Sequence, residues 1–374
     1  MSFDPNASAE MQITLPELLK KMTDAGGSDL HLTTNSAPQV RVHGHLSPLA
    51  GFGPLTPADT KRLAYSVLTD AQKHRFEENL ELDFSFGLKG MSRFRANLFN
   101  QKGAVGAVFR SIPYEIKSFE ALGLPQVVQD LCKKPRGLVL VTGPTGSGKS
   151  TTLASMVDKI NIDRHDHILT IEDPIEFVHS PQKCVVTQRQ VGFHTKSFKQ
   201  ALRAALREDP DVIMVGEMRD LETVSIAIET AETGHLVLGT LHTTTAASTV
   251  DRIIDQFPAD RQSQIRVMLS ESLKGVIAQV LCPKVGGGRV AAKEVLLSIP
   301  AIANLIREGK TFQIPSIMQT NRKVGMVTLN DALLDLVEAG QIEPREAWLK
   351  AAEKTGILAS LKARGHKTDF AAEA

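Results

Sequence analysis

Residues 143–151 read GPTGSGKST, a glycine-rich run that ends in a lysine and hydroxyl side chains. The run matches the phosphate-binding pattern G-x-x-x-x-G-K-[ST], and the apolar run GLVLVT before it and a helix-forming segment after it suit that pattern. Glycines let backbone N–H groups turn inward around phosphate oxygens, and the helix adds the positive end of its dipole. Lys149 then contacts the β- and γ-phosphates, and Ser150 is a ligand of Mg²⁺. The predicted nucleotide-binding residues are Gly143, Pro144, Thr145, Gly146, Ser147, Gly148, Lys149, Ser150 and Thr151.

Three carboxylates, Glu172, Asp173 and Glu176, follow the apolar run ILTI at 168–171. Carboxylates this close repel one another unless a cation offsets the repulsion, and Mg²⁺ beside a nucleotide would do so. Nucleotide hydrolysis needs acids both to support the metal and to activate the attacking water. The residues alone do not divide these roles among the three acids, and a solvated acidic turn is the alternative interpretation.

A second apolar run, DVIMVG at 211–216, ends at Glu217. It resembles a Walker B strand, whose terminal acid supports Mg²⁺ or orients water, although an ordinary strand that ends at the surface has the same pattern. His235 and His242 bracket a further apolar run. Their spacing of seven places them on opposite faces of a strand, which argues against one shared metal. Either histidine could instead hydrogen-bond phosphate, water or a neighbouring subunit, or be purely structural.

Arginines alternate with apolar residues in RFRANLF, 93–99, so that Arg95 faces away from Phe94 and Leu98. Arg110 ends the next predicted strand, and Arg136 precedes the run GLVLVT. An exposed arginine row is either a solvated face or, in an oligomer, a source of arginine fingers for a neighbour's phosphates. The sequence pattern leaves both interpretations open.

Bulk composition narrows the class of protein. The 374 residues carry a formal net charge of +1 and 5% aromatic residues, which argues against a nucleic-acid binder. Three widely spaced cysteines indicate neither a zinc ribbon nor a redox pair. The beginning of the chain lacks the pattern of a secretory signal, and no apolar run approaches the length of a membrane span. We expect a cytoplasmic protein.

The pattern of elements changes along the chain. Helical spacing, then alternating strands, predict a small α+β domain over 1–112, and a proline-punctuated linker follows at 113–125. From 126 to 374, short apolar strands alternate with helices, which predicts a parallel sheet covered on both faces. After residue 260 the chain is expected to be mostly helical, with a GGG turn at 286–288 between two strands. The last dozen residues are expected to be frayed.

Taken together, these motifs resemble the ATPases of type II/IV secretion and motility systems. GPTGSGKST, TIEDPIEF, the segment ending in DVIMVGEMRD, and AETGHLVLGTLHT correspond to the Walker A, aspartate, Walker B and histidine boxes of that family. The resemblance runs from GGSDLHL at residue 26 to about residue 350 and is strongest to the branch that retracts type IV pili. It implies an α/β fold in which a RecA-like P-loop domain follows a PAS-like domain and precedes C-terminal helices.

The resemblance also implies roles for individual residues. Glu176 takes the position of the catalytic glutamate, and Glu217 supports Mg²⁺ through water. His235 and His242 are the histidine-box residues, while Arg95 and Arg110 reach a neighbour's nucleotide, with help from Arg136. The implied assembly is a homohexamer that hydrolyses ATP with Mg²⁺ at the inner-membrane base of the pilus, on a platform protein of that membrane and alongside a PilU-type accessory ATPase.

Three alternatives accompany this interpretation: an accessory retraction ATPase of the PilU type, a RecA-like nucleic-acid translocase, and a nucleotide-gated scaffold without turnover. The intact GEMRD at 216–220 disfavours the first, the balanced charge the second, and the full set of acids the third. One departure from the family lies at Ala303, where the retraction-associated motif AIRNLIRE has its arginine and this chain reads AIANLIRE.

Overall fold

The computed structural model describes residues 13–42, 44–112 and 115–371. These residues form two compact units, and the division between the units falls between Glu115 and Ile116. Each unit has its own sheet and its own buried core.

The first unit is built on a six-stranded antiparallel sheet in the order β3-β2-β1-β6-β5-β4. Threonines cap all three of its helices, since each accepts a hydrogen bond from a backbone N–H of the first helical turn. In chain order the elements are α1 (Leu15–Asp24), β1 (Asp29–Leu32), β2 (Gln39–Val42), β3 (His45–Pro48), α2 (Pro57–Tyr65), α3 (Asp70–Asn79), β4 (Glu81–Leu88), β5 (Ser92–Gln101) and β6 (Ala104–Ile112).

Alternation along β5 shows how sequence sets the faces of this sheet. Phe94, Ala96 and Leu98 are fully buried in the core of the first unit, whereas Arg95 is exposed. A period of two is what a sheet with one buried face requires. The unit therefore presents an arginine on the solvent side of the strand, as the sequence pattern predicted.

The second unit is built on a seven-stranded sheet in the order β13-β12-β7-β11-β10-β8-β9. All its strands are parallel except β13, which pairs antiparallel with β12. In chain order the elements are α4 (Gln126–Cys132), β7 (Gly137–Thr142), α5 (Lys149–Asp163), β8 (His167–Glu172), β9 (Val185–Gln190), α6 (Phe198–Ala205), β10 (Val212–Val215), α7 (Leu221–Thr233), β11 (Leu236–Leu241), α8 (Ala246–Asp255), α9 (Ala259–Ser272), β12 (Leu273–Pro283), β13 (Arg289–Leu297), α10 (Pro300–Glu308), α11 (Ile314–Thr320), α12 (Leu329–Glu338), α13 (Pro344–Lys350) and α14 (Lys354–Ala363).

Both faces of this sheet are covered. On β7, Leu138 and Leu140 pack into one core cluster, while Val139 and Val141 pack into another on the opposite face. Burial on both faces explains why the strand reads as a continuous apolar run. Parallel pairing brings the carboxyl ends of β7, β8, β10 and β11 to one edge of the sheet. The predicted fold class, an α/β protein with a parallel core and C-terminal helices, is confirmed.

Two strands of the sheet were not assigned to it from the sequence. β9 reads VVTQRQ, whose polar half gives no apolar run, and it is nevertheless the parallel edge strand beside β8. β12 was expected only as half of a hairpin around the GGG turn, yet it also pairs in parallel with β7. Both strands prove important for the site described below.

The segments expected to be least ordered carry defined contacts. In the expected linker, Phe119 and Leu124 are buried in the core of the second unit. The expectation that the chain frays after residue 361 is wrong for 362–371: the His366 ring lies 2.9 Å from a Glu338 oxygen, and Phe370 packs on the ring of Trp348. Residues 372–374 lie outside the described part of the chain. Within the described residues, no helix is long and apolar enough to cross a membrane.

A buried carboxylate joins two helices of the second unit. Glu294 on β13 accepts hydrogen bonds from the backbone N–H of Ala246 (2.5 Å) and of Leu329 (2.8 Å), which begin α8 and α12. Burial raises the pKa of Glu294, and the two backbone donors partly offset this. The contacts satisfy two helix-terminal donors that have no partner within their own helices.

We expect Glu294→Ala to lower the free energy of unfolding by on the order of 2 kcal/mol, because it leaves two buried N–H groups without an acceptor. Urea unfolding followed by circular dichroism measures this change. Glu343→Ala is the control, since Glu343 is an exposed acid at the start of α13 without a side-chain cap bond. Equal stability of the two variants would contradict the prediction.

Candidate active site at the carboxyl edge of the parallel sheet

The phosphate-binding sequence forms a tight loop between β7 and α5. Gly148 precedes the first helical residue, Lys149, with a φ of 90°, and Gly143 has a φ of 143°. A Cβ on Gly143 would lie 2.2 Å from the carbonyl oxygen of Gln279 on β12. The loop therefore needs glycine both for its backbone angles and for its close approach to the neighbouring strand.

Lys149 is held by neutral acceptors. Its Nζ donates to the carbonyls of Gly143 (2.8 Å) and Pro144 (3.2 Å) and lies 3.4 Å from Nδ1 of His242. Burial lowers the pKa of Lys149, and the nearby charges of Glu217 and Glu176 oppose that shift. Among the described residues no carboxylate forms a direct ion pair with this ammonium. A half-buried cation so placed suits an anionic ligand such as a phosphate group.

Glu217, two residues beyond β10, is fixed through both of its oxygens. Oε1 lies 2.6 Å from Nε2 of His242, and Oε2 accepts from Arg219 Nη2 at 2.6 Å. Burial alone would raise the pKa of Glu217, but the hydrogen bonds from Arg219 and His242 outweigh it and leave the pKa lowered. The structure thus keeps an ionised carboxylate beside the lysine of the loop.

Glu172, by contrast, is a buried structural acid. Its Oε1 accepts hydrogen bonds from the hydroxyl of Thr170 (2.6 Å) and the amide of Gln188 (3.0 Å), and Oε2 accepts from the backbone N–H of Glu176 (3.4 Å). Burial raises the pKa of Glu172, and these hydrogen bonds partly offset the shift. Its contacts hold the backbone at Glu176, which is itself half-buried, while Asp173 is exposed.

Two glutamines of β9 complete the support of this acidic turn. Gln188 donates to the carbonyl of Phe177 (2.8 Å), and Gln190 accepts from the backbone N–H of Ile175 (3.3 Å). The turn that carries Glu176 is therefore anchored from both β8 and β9. Side chains with both a donor and an acceptor suit this task, because they satisfy backbone groups of either kind.

His235 and Arg136 are not brought to the loop within this chain. Each precedes a strand, β11 and β7 respectively, so each lies at the amino edge of the sheet, where the N–H of Gly137 donates to the His235 carbonyl. The six residues of β11 separate that edge from His242 by roughly 20 Å at about 3.3 Å per residue. Of the two histidines, His242 alone joins the network of Lys149 and Glu217.

The two arginines of the first unit lie side by side, since Arg95 on β5 and Arg110 on β6 are direct cross-strand partners. Both are exposed. Nε of Arg110 donates to the buried carboxylate of Asp29 at 2.7 Å, and the hydroxyl of Ser28 donates to the other oxygen of that carboxylate. Burial would raise the pKa of Asp29, but these two hydrogen bonds leave it lowered. Asp29 thereby fixes the orientation of Arg110.

A cavity of about 570 Å³ lies beside the phosphate loop within the second unit. Ser147, Gly148, Thr151 and Thr152 form its wall on the loop side. Basic side chains line other parts: Lys284, which follows β12, and Arg289 and Lys293 on β13. Its volume falls in the usual range for small-ligand pockets.

Four contributors were missed by the sequence argument: Arg219, Gln188, Gln190 and Gln279. GEMRD contains Arg219 and was noted only as an intact motif. The three glutamines carry no local signal, because their partners lie elsewhere in the chain and β9 itself was not predicted. Only the spatial neighbourhood shows what they do.

The site's donors also suit the expected metal. Mg²⁺ prefers oxygen ligands and retains water, and Ser150 of the loop and the nearby Glu217 offer a hydroxyl and a carboxylate. Glu217 has one contact on each oxygen, so further acceptor positions remain for a metal-bound water.

A strand leads into a glycine loop and then a helix, and acids lie at the same carboxyl edge of the sheet. These features define a P-loop nucleotide-binding protein of the α/β class. The family model described as "Type II/IV secretion system protein" matches residues 7–288. The chain belongs to that family, and it is an ATPase.

Individual relatives agree with this assignment. The type IV pilus retraction ATPase PilT of Pseudomonas aeruginosa is 53% identical over 341 residues, which cover 91% of this chain and 98% of PilT. The type IV pilus ATPase PilU of the same organism is 42% identical over 347 residues, 92% of this chain and 91% of PilU. A crystal structure of the pilus retraction motor PilT with bound ADP superposes with a TM-score of 0.87 at 52% identity and covers 92% of this chain and 98% of that one. The ATPase DotB of Legionella pneumophila is more distant, with a TM-score of 0.78 at 28% identity over 93% of this chain and 97% of DotB.

We expect Arg219→Ala to shift the acid limb of the pH–turnover profile to higher pH, because removal of the guanidinium raises the pKa of Glu217. A carboxylate with a raised pKa is protonated at a higher pH, so activity is lost earlier on acidification. Arg219→Lys, which keeps the charge, should shift the limb less. Steady-state ATPase assays across pH test this, and an unmoved acid limb in Arg219→Ala would refute the link.

Proposed function

We propose that this ATPase is a motor that powers retraction of type IV pili. The observation that carries the proposal is the likeness to a retraction ATPase along nearly the whole chain, beyond the P-loop core alone. The higher identity to PilT than to PilU favours the retraction motor itself over the accessory ATPase.

The residues of the site divide the work as follows. The loop from Gly143 to Ser150 binds the ATP phosphates, with Lys149 paired to their negative charge. Glu176, held by Glu172 and the β9 glutamines, accepts the proton of the attacking water. Glu217 supports Mg²⁺, which would stabilise charge on the phosphate oxygens when bound. His242, in contact with Glu217 and near Lys149, links the phosphate loop to the end of β11.

The site is completed by a neighbouring subunit in this proposal. The chain forms a hexameric ring, and Arg95 and Arg110 of one subunit stabilise the phosphate charge in the site of the next. Their exposure and the fixed Nε of Arg110 support this role, since an oriented guanidinium can then present its outer nitrogens. His235 and Arg136, at the far edge of the sheet, have no direct contact with the nucleotide of their own subunit.

The proposed location is the cytoplasmic side of the inner membrane, at the base of the pilus. There the ring would act on an inner-membrane platform protein, with a PilU-type ATPase as a further partner. No nucleic-acid partner is proposed, because the balanced charge of the chain offers little general attraction to phosphate backbones. Ala303, half-buried on α10, lies within the motif associated with retraction.

Deletion of the gene should give cells with excess surface pili and no twitching motility. Complementation with the wild-type gene should restore twitching, whereas Lys149→Ala or Glu176→Gln should not. Pili counted by electron microscopy and colony spreading measure both effects. Loss of pili on deletion would instead indicate an assembly motor.

Arg110→Ala should lower turnover of the purified oligomer, and mixing it with Glu176→Gln should restore activity. Random one-to-one mixing leaves about a quarter of sites with both an intact glutamate and an intact neighbouring arginine. ATPase activity across mixing ratios measures the rescue. Lys89→Ala, which alters an exposed cation of the same unit, is the control and should behave as wild type. Inactivity at every ratio would contradict action between subunits.

A further inference from the structure

Gln279 lies beside the phosphate loop although it is more than a hundred residues from it in sequence. It stands on β12, where Ala278 pairs with Thr142, so Gln279 is level with the point at which β7 passes into the loop. Its exposed fraction is 1%, and it is a polar residue within the apolar run GVIAQVLC. A buried amide in such a run needs partners, because an unpaired polar group in the interior is destabilising.

Both ends of the Gln279 amide are bonded to the loop and its helix. Nε2 donates to the carbonyl of Ser147 at 2.7 Å, and Oε1 accepts from the hydroxyl of Thr152 at 2.9 Å. Both hydrogen bonds are buried. The Ser147 carbonyl can only accept a hydrogen bond, so the amide must present Nε2 to Ser147 and Oε1 to the Thr152 hydroxyl.

The hydrogen bond to Ser147 has a consequence for the next residue. In a planar trans peptide the C=O and the following N–H point in opposite directions. Because the Ser147 carbonyl is directed at Gln279, the N–H of Gly148 is directed away from it. Among the described residues this N–H has no hydrogen-bond acceptor, so it is available to a ligand of the loop.

The two glycines that flank this part of the loop touch the same residue. A Cβ on Gly148 would lie 3.2 Å from Nε2 of Gln279, and one on Gly143 would lie 2.2 Å from its backbone oxygen. The loop thus packs against Gln279 at both ends. This close packing supports a role for Gln279 that is specific to the loop, beyond that of a strand residue in general.

We propose that Gln279 is a positioning residue for nucleotide binding: it holds the Ser147 carbonyl and so directs the Gly148 N–H toward the phosphates. The inference rests on the proposed function, since it assumes that the loop binds the phosphates of a nucleotide. Gln279 itself does not take part in the chemistry.

The test compares a ligand that has phosphates with one that lacks them. Gln279→Met keeps the length of the side chain and removes both hydrogen bonds. We expect its affinity for ADP to fall by about tenfold, as loss of well-placed loop hydrogen bonds implies, while inhibition by adenosine is unchanged. ADP binding is measured by calorimetry on the full-length protein, and adenosine as a competitive inhibitor of ATP hydrolysis.

Two further variants make the test specific. Ile277→Val on the same strand is the control, because it trims a buried methyl without touching the loop and should leave the ratio of ADP to adenosine affinity unchanged. Thr152→Val removes only the hydrogen bond to Oε1 of Gln279, keeps the one to Ser147, and should lower ADP affinity less than Gln279→Met. It also allows the test if Gln279→Met fails to fold.

An unchanged ratio of ADP to adenosine affinity in folded Gln279→Met and Thr152→Val would overturn the inference. Equal losses of affinity for the two ligands are one such result, because they would indicate a general effect on the pocket. Failure of the unaltered protein to bind ADP would refute the proposed function, and the inference with it.

Discussion

The parallel pairing of β7 with β11 and β12, and of β10 with β8 and β11, is the constraint on which the site depends. It brings the ends of strands that are far apart in sequence to one edge of a single sheet. Lys149, Glu176, Glu217 and His242 all follow strands at that edge. The central strands β7, β10 and β11 are buried on both faces, so a shift of register would displace core side chains and acids together.

At this edge of the sheet, the charge states of Glu217 and Glu172 are set by their neighbouring side chains rather than by solvent. Glu217 has Arg219 and His242 on its two oxygens, which keeps it ionised despite partial burial. Glu172 has only neutral donors around it, so burial dominates and its pKa is raised. Two glutamates at the ends of the adjacent strands β8 and β10 therefore differ in pKa, and the difference follows from the partners that each one has.

The parts of the site with a local signal could be predicted from the sequence. The loop pattern located Lys149, and apolar runs located the strands that end near Glu172 and Glu217. The choice of Glu176 as the catalytic acid came from family resemblance and stays a prediction, while the structure adds that Glu172 is buried. The apolar periodicity likewise gave the fold class, because burial on both faces leaves a continuous apolar run.

What could not be predicted depends on contacts between distant segments. The glutamines of β9 and Gln279 of β12 are ordinary residues in their local sequence, and their role appears only when strand order is known. The separation of His235 and His242 is a contrasting case, because a single strand lies between them and their spacing alone predicts that they are at its two ends. Sequence spacing measures distance along a strand, but only pairing decides which strand ends meet.

The same pairing explains why the phosphate loop is supported from two sides. On one side, His242 at the end of β11 contacts Lys149 and Glu217; on the other, Gln279 of β12 holds the loop backbone. β7 lies between these two strands, so the loop that follows it is flanked by a side chain from each. A phosphate ligand needs both the lysine charge and inward-facing N–H groups, and each neighbouring strand fixes one of these requirements. The order of strands around β7 is thus itself part of the nucleotide site.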